Sequence, residues 1–137
     1  MNIFNFLVFV DDDYATNYYH EIIIKDADIV QDLKFFQVPR EALDYIKQNY
    51  ENEESADPEV IFIDINMPQI DGWKFLSLLG EMDIKNFPAI IMLSTSINPR
   101  DEERAKNNPH VFDFMNKPLT IEYLEKLKVK LEAADQA

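Results

Sequence analysis

A run of apolar residues that ends abruptly in an acid is the feature that most constrains this chain. Residues 60–63 (V-I-F-I) contain no polar side chain, and Asp64 follows them directly. A short apolar run closed by a turn is typical of a strand buried on both faces of a parallel sheet. In open sheets of this kind, ligands bind at the carboxyl ends of the strands. Asp64 is therefore either a helix cap or a functional group, and a functional group needs partners elsewhere in the chain.

The same alternation of apolar strand and helix-like segment recurs along the whole sequence. The predicted strands are residues 3–10, 33–36, 60–63, 89–93 and 111–115. The predicted helices are residues 14–24, 72–80 and 99–107, with two more that begin at Pro39 and near Thr120. This order predicts a five-stranded parallel α/β sheet, doubly wound, with helices on both faces. The fourth helix contains one apolar residue, Ala105, and is expected to pack weakly.

Composition limits the class of protein. A chain of 137 residues with 47% apolar residues suits one domain, predicted at residues 1–132, with a frayed tail at 133–137. The chain lacks cysteine, which excludes disulfides and thiolate metal sites. No apolar run approaches membrane-spanning length, and the N-terminus lacks a signal-peptide pattern, so a cytoplasmic location is expected. The net charge of −13 argues against direct nucleic-acid binding and favours proteins or cations as partners.

Polar side chains follow the predicted strands at the points where they end. They are Asp11 and Asp12, Asp64, Ser94 and Thr95, and Lys117. Because the carboxyl ends of parallel strands meet at one edge, these side chains are expected to converge. Three neighbouring carboxylates do not all stay ionised unless a cation joins them, and oxygen ligands favour Mg²⁺ or Mn²⁺. The simpler alternative is that Asp12 or Asp13 only caps a helix.

The predicted cluster has the parts that phosphoryl transfer needs. That reaction requires a placed nucleophile and neutralisation of the phosphoryl oxygens. A carboxylate can be the nucleophile, so Asp64 is a candidate acceptor that would become an aspartyl phosphate. Lys117 and a hydroxyl from Ser94 or Thr95 could bind the phosphoryl oxygens.

Four motifs at these strand ends resemble those of a known family. They are V-D-D at 10–12, D-I-N-M-P-Q-I-D-G at 64–72, L-S-T-S at 93–96 and K-P at 117–118. Together and in this order, they resemble the receiver domain of bacterial two-component response regulators, over about residues 3–131. The resemblance implies a flavodoxin-like sheet with strand order 2-1-3-4-5.

The resemblance also implies the roles of the metal-site and acceptor residues. Asp64 matches the phosphorylated aspartate. Asp12 matches the acid that binds the metal directly, and Asp11 its neighbour, which usually acts through water. The backbone carbonyl of Asn66 matches the third protein ligand of Mg²⁺ (or Mn²⁺).

A second set of residues matches the switch of the family. Ser94 matches the hydroxyl that contacts the phosphoryl group, and Lys117 the lysine beside it, with a commonly cis peptide to Pro118. Phe114 matches the aromatic switch position, where it would act sterically because it lacks a hydroxyl. Thr95 stands where many receivers have a smaller residue, which leads to the hypothesis that it slows dephosphorylation. His20, in the middle of the first helix, is assigned no functional role.

The function implied is that of a single-domain response regulator. A sensor histidine kinase or histidine phosphotransfer protein would phosphorylate Asp64, and the face of the fourth helix, fifth strand and fifth helix would then signal to a downstream protein. Such a protein is not an enzyme beyond its own phosphorylation and dephosphorylation. One alternative is a phosphorylation-independent binding module of the same fold. Another is a Mg²⁺-dependent phosphohydrolase, which is disfavoured because Asn66 stands where such enzymes have an acid.

Overall fold

The computed structural model describes residues 3–52, 57–84, 86–95 and 98–135. Ser96, which belongs to one of the four motifs, lies outside these ranges, as do the last two residues of the predicted tail. The strands are β1 Phe4–Val10, β2 Val30–Phe36, β3 Val60–Asp64, β4 Ala89–Ser94 and β5 Val111–Asn116. The helices are α1 Tyr14–Ala27, α2 Pro39–Glu51, α3 Gly72–Gly80, α4 Pro99–Asn107 and α5 Ile121–Asp135.

The five strands form one parallel sheet in the order β2-β1-β3-β4-β5, which confirms the predicted fold class and strand order. The register aligns the strand ends: Val10 pairs with Ile63, Asp64 with Leu93, and Ser94 with Asn116. Because the ends are level, the residues that follow each strand emerge along one edge. The register of the sheet alone therefore brings the candidate site residues to this edge.

The core has two layers because side chains of a strand alternate between the faces of a sheet. All five residues of β3 are buried, as its apolar sequence predicted. Ile61 and Ile63 pack in the layer that includes residues of α2 and α3. Val60 and Phe62 pack in the opposite layer with residues of α1 and α5. Helices therefore cover both faces, which is the doubly wound arrangement.

Three elements are longer by three residues than the sequence pattern predicted. Strand β2 begins three residues earlier, at Val30, because its exposed polar residues hid an edge strand from a search for apolar runs. Helix α1 continues to Ala27 and stops at Asp28, whose left-handed φ of 53° ends it. Helix α5 continues to Asp135, into the segment predicted as a frayed tail, because that segment contains good helix formers.

The cap of α5 and the weak fourth helix match the sequence expectations, whereas Asp13 stands at the N-cap of α1 without a side-chain cap hydrogen bond. The Tyr123 amide donates to Thr120 Oγ1 at 3.1 Å, so Thr120 caps α5 as predicted. In α4, Ala105 is the buried residue among the charged ones, also as predicted. Among the described residues, no helix is both long and apolar enough to cross a membrane.

Candidate functional site

Three carboxylates meet at the carboxyl edge of the sheet. Asp11, Asp12 and Asp64 each offer an oxygen atom, and these atoms all lie within 4.8 Å of one another. Asp11 and Asp64 are buried, with 2% and 3% of their surface exposed, whereas Asp12 is exposed. The structure therefore confirms the predicted convergence of these acids. An exposed carboxylate beside two buried ones leaves the cluster open to solvent on one side.

Lys117 reaches this cluster from the loop after β5. Its Nζ lies 2.7 Å from Asp11 Oδ2 and 3.1 Å from Asp64 Oδ1, and its side chain is 8% exposed. Its backbone amide donates to the Ser94 carbonyl at 2.8 Å, and its peptide bond to Pro118 is cis, as the resemblance implied. The sequence predicts that Lys117 binds phosphoryl oxygens at this edge, next to Asp64. The structure adds a shorter contact with Asp11.

The charges of the cluster perturb one another. Burial and the negative charge of Asp11 raise the pKa of Asp64 to about 7, against the opposing effect of Lys117. Burial disfavours the charged form of Lys117, but its hydrogen bond to Asp11 and its ion pairs outweigh burial and raise the pKa of its ammonium group. One ammonium against three carboxylates leaves excess negative charge. This set of hard oxygen donors fits a divalent cation such as Mg²⁺, which would relieve the repulsion.

The loop after β3 fixes the Asp64 carboxylate and backbone. The backbone amide of Asn66 donates to Asp64 Oδ1 at 3.3 Å, and the backbone amide of Gly72 donates to the Ile65 carbonyl at 2.8 Å. A Cβ atom at Gly72 would lie 2.6 Å from the Asp64 carbonyl oxygen and 2.7 Å from Ile65 Cα. Glycine is therefore required for this close approach of α3 to the site. Asp71 caps α3 by accepting from the Lys74 amide at 2.8 Å.

The remaining predicted site residues lie on β4 and β5. Ser94, the last residue of β4, is 1% exposed, and Thr95 after it is exposed. Phe114 lies on β5 opposite Met92, is half-buried, and lines a cleft of about 340 Å³ between α4 and β5. The functional roles of these three residues, and the metal contact of the Asn66 carbonyl, stay predictions.

Sequence reasoning missed two polar residues that hold the loops of the site. The Asn17 side chain donates from Nδ2 to the Asp11 carbonyl at 2.8 Å. The ring of His20 accepts a hydrogen bond at Nε2 from the Leu119 amide at 3.0 Å. Both side chains are buried, at 5% and 1% exposure. Their spacing, three residues apart, indicates only that they share one face of the helix that follows the acids, and not which atoms they bind.

Comparison with known proteins decides the family. The family model of the response regulator receiver domain matches residues 7–128. The chain belongs to this family. Its membership supports a role in two-component signalling, in which receiver domains interact with histidine kinases or phosphotransfer proteins and with downstream targets.

Individual relatives agree with this assignment. The receiver domain is similar to a two-component response regulator from Cytophaga hutchinsonii, with a TM-score of 0.85 and 29% identity over 94% of this chain and 97% of that one. It is 27% identical to response regulator Rcp1 of Synechocystis sp., over 93% of this chain and 86% of that protein. The structure of the Mn²⁺-bound form of Rcp1 has the same fold, with a TM-score of 0.68, 23% identity, and coverage of 93% of this chain and 91% of that one.

Proposed function

We propose that this receiver domain accepts a phosphoryl group on Asp64 and transmits the signal through protein contacts. The donor is the phosphohistidine of a sensor kinase or of a histidine phosphotransfer protein, or a small phosphodonor. The observation that carries the proposal is the position of the buried Asp64 carboxylate, 3.1 Å from the Lys117 ammonium and beside two further acids. A nucleophile, a cation and a set of metal ligands thus share one edge of the sheet.

The residues that would bind the metal are Asp12 and Asp64 directly, the backbone carbonyl of Asn66 as the third protein ligand, and Asp11 through water. Their oxygens are the ligands that Mg²⁺ and Mn²⁺ prefer. When bound, the metal would supply positive charge for the phosphoryl oxygens. Lys117 supplies a second positive charge, on the side where it contacts Asp11 and Asp64.

The transfer itself requires little covalent chemistry from the protein. A carboxylate oxygen of Asp64 attacks phosphorus, and a P–O bond forms. The P–N bond to the donor imidazole breaks, and its electron pair stays on the nitrogen, which takes a proton from solvent. Lys117 and the hydroxyl of Ser94 bind oxygens of the transferred group.

The signalling face is formed by α4, β5 and α5. Its weakest element is α4, which buries Ala105 and is otherwise held by contacts such as the Trp73 Nε1 bond to Asp101 at 3.0 Å. New charge-assisted contacts of the phosphoryl group with Ser94, worth a few kcal/mol, would be enough to move such an element. Movement of Ser94 toward the phosphoryl group would open space for Phe114, which lines the cleft between α4 and β5, to turn inward.

The receiver domain would act on a downstream protein rather than directly on nucleic acid, because its net charge is −13. Its proposed location is the cytoplasm. It would catalyse no reaction other than its own phosphorylation and dephosphorylation. Thr95 is exposed beside Ser94 and would slow dephosphorylation by hindering the approach of water.

The test is the intact mass of the protein after incubation with acetyl phosphate and Mg²⁺. We expect a gain of about 80 Da, the mass of one phosphoryl group. The gain should vanish in Asp64→Asn and on addition of EDTA. Asp28→Asn is the matched control, because it makes the same substitution at an exposed position with a left-handed backbone that asparagine tolerates.

A gain that persists in Asp64→Asn would contradict the assignment of the acceptor. A wild-type protein that gains no mass and binds no Mg²⁺ would favour the phosphorylation-independent binding module. If the protein binds Mg²⁺ but is not phosphorylated by acetyl phosphate, phosphoryl transfer from a purified histidine kinase is the deciding experiment.

A further inference from the structure

We propose that Asn17 and His20 are positioning residues that fix the relative placement of Asp11 and Lys117. This inference rests on the proposed function of the same site. It concerns two side chains of α1 that do not touch the acceptor carboxylate themselves. Each instead binds the backbone of one of the two loops that carry site residues.

The two hydrogen bonds reach different loops from adjacent turns of one helix. Asn17 Nδ2 donates to the Asp11 carbonyl, in the loop between β1 and α1, at 2.8 Å. His20 Nε2 accepts from the Leu119 amide, in the loop between β5 and α5, at 3.0 Å. Residues three apart lie on the same face of a helix, so one face of α1 binds both loops.

The ion pair between Lys117 and Asp11 connects the same two loops directly. Lys117 Nζ contacts Asp11 Oδ2 at 2.7 Å, and Lys117 lies two residues before Leu119 in the loop that His20 holds. The Leu119 side chain is fully buried, so this loop is anchored by the packing of Leu119 as well as by the hydrogen bond of its amide. A shift of either loop would therefore change the distance between the Lys117 ammonium and the carboxylates.

Packing alone does not account for two polar side chains at these positions. Among the described residues, Asn17 Oδ1 and His20 Nδ1 have no hydrogen-bond partner although both atoms are buried. Because Nε2 accepts a hydrogen bond, the neutral ring carries its proton on Nδ1, which is then an unmatched donor. Burying unmatched polar atoms costs free energy, and an apolar side chain of similar size would avoid that cost. The gain that offsets it is the placement of the two loops.

The proposal is tested with Asn17→Leu, His20→Leu and His20→Gln. Two quantities are measured on each variant. The first is the dissociation constant for Mn²⁺ alone, from the electron paramagnetic resonance signal of the free ion. The second is the rate of phosphoryl incorporation from acetyl phosphate at saturating Mg²⁺, from intact mass.

We expect the two positions to separate in these measurements. Asn17→Leu should weaken Mn²⁺ binding about tenfold, because the backbone that carries Asp11 loses its anchor. His20→Leu should lower the phosphorylation rate about tenfold with the Mn²⁺ dissociation constant within about twofold, because it releases the loop of Lys117. His20→Gln offers an amide oxygen near the position of Nε2 and should restore most of the rate.

The order of the phosphorylation rates of His20→Leu and His20→Gln distinguishes a positioning role from a purely structural one. A structural role predicts that leucine, which packs well, preserves function at position 20 at least as well as glutamine. Positioning predicts a higher rate for glutamine even if leucine is the more stable variant in urea. Ile24→Ala is the matched control, since Ile24 is buried on the same helix and packs in the core. It should lower stability while leaving the rate and the Mn²⁺ affinity within about twofold for the folded protein.

Unchanged affinity in Asn17→Leu together with an unchanged rate in His20→Leu would overturn the proposal, as would equal losses in Ile24→Ala. If the wild type binds Mn²⁺ but gains no phosphoryl group from acetyl phosphate, transfer from a purified histidine kinase decides the proposed function, and the Asn17→Leu affinity alone decides the positioning role. A wild type that does neither overturns both.

Discussion

Replacing Gly72 with alanine is expected to destabilise the protein by disturbing the backbone of the acceptor residue. The added Cβ would lie 2.6 Å from the Asp64 carbonyl oxygen and 2.7 Å from Ile65 Cα. Both neighbours are backbone atoms, so no side chain can rotate away to make room. Either α3 or the end of β3 must move, and this movement strains the hydrogen bond from the Gly72 amide to the Ile65 carbonyl.

The magnitude follows from two opposing effects. Overpacking in a close-packed region costs about 1–3 kcal/mol, and a clash with two fixed atoms belongs at the upper end. Alanine regains up to about 1 kcal/mol through its better helix propensity. The net loss in the free energy of unfolding is about 2 kcal/mol, which for a chain of 137 residues lowers the Tm by roughly 7 °C.

Gly80→Ala is the matched control at the other end of the same helix. A Cβ there would meet only the His110 ring, at 3.8 and 3.9 Å, which is ordinary contact. Without a clash, the helix propensity of alanine should leave the Tm unchanged or raise it by a few degrees. Thermal unfolding followed by circular dichroism measures both variants. A Tm of Gly72→Ala within about 1 °C of wild type, or equal losses in both variants, would refute the reasoning.

Three further predictions concern single side chains. Burial lowers the pKa of His20 from 6.5 to about 4, so as the pH falls the unfolded chain binds a proton before the folded protein does. The contribution of neutral His20 to stability is therefore complete above pH 6.5 and is lost as the pH falls to 4. In urea unfolding, the free energy of unfolding of the wild type should fall by up to about 3 kcal/mol relative to His20→Gln between pH 6.5 and 4. Asp101→Ala removes the hydrogen-bond partner of the Trp73 indole, so it should cost about 1 kcal/mol and shift the tryptophan emission, whereas an unchanged spectrum would argue against this contact in solution. Thr95→Ala should shorten the lifetime of the phosphorylated protein several-fold, as followed by intact mass, and an equal lifetime would remove the proposed role of Thr95.

Much of the fold was readable from the sequence because strands buried on both faces leave continuous apolar runs. The bounds of β3, β4 and β5 were predicted to within one residue. Strand β2 was underestimated because it lies at the sheet edge, where two consecutive polar residues, Gln31 and Asp32, are exposed and interrupt the apolar pattern. Helix α5 was cut short because its last residues are exposed and leave no apolar pattern.

The candidate site was readable in its membership but not in its contacts. Asp11 and Asp64 could be chosen because each directly follows an apolar run, and Lys117 because it lies two residues after the predicted fifth strand. Parallel strands bring such positions to one edge. The short contact between Lys117 and Asp11 could not be predicted, because it depends on how the β5–α5 loop settles against α1. The same loop placement decides that His20 binds the Leu119 amide, and no local pattern in the sequence reports that bond.

The sequence by itself determined the order of strands and helices, the edge at which the acids gather and the family to which the chain belongs. These follow from local hydrophobic patterns and from motif spacing, which do not depend on distant contacts. Only the tertiary structure decided which oxygen Lys117 approaches most closely, how tightly Gly72 presses on the Asp64 backbone, and which polar residues of α1 hold the loops. Those features depend on sheet register and helix docking, which bring together residues up to 106 positions apart in the chain.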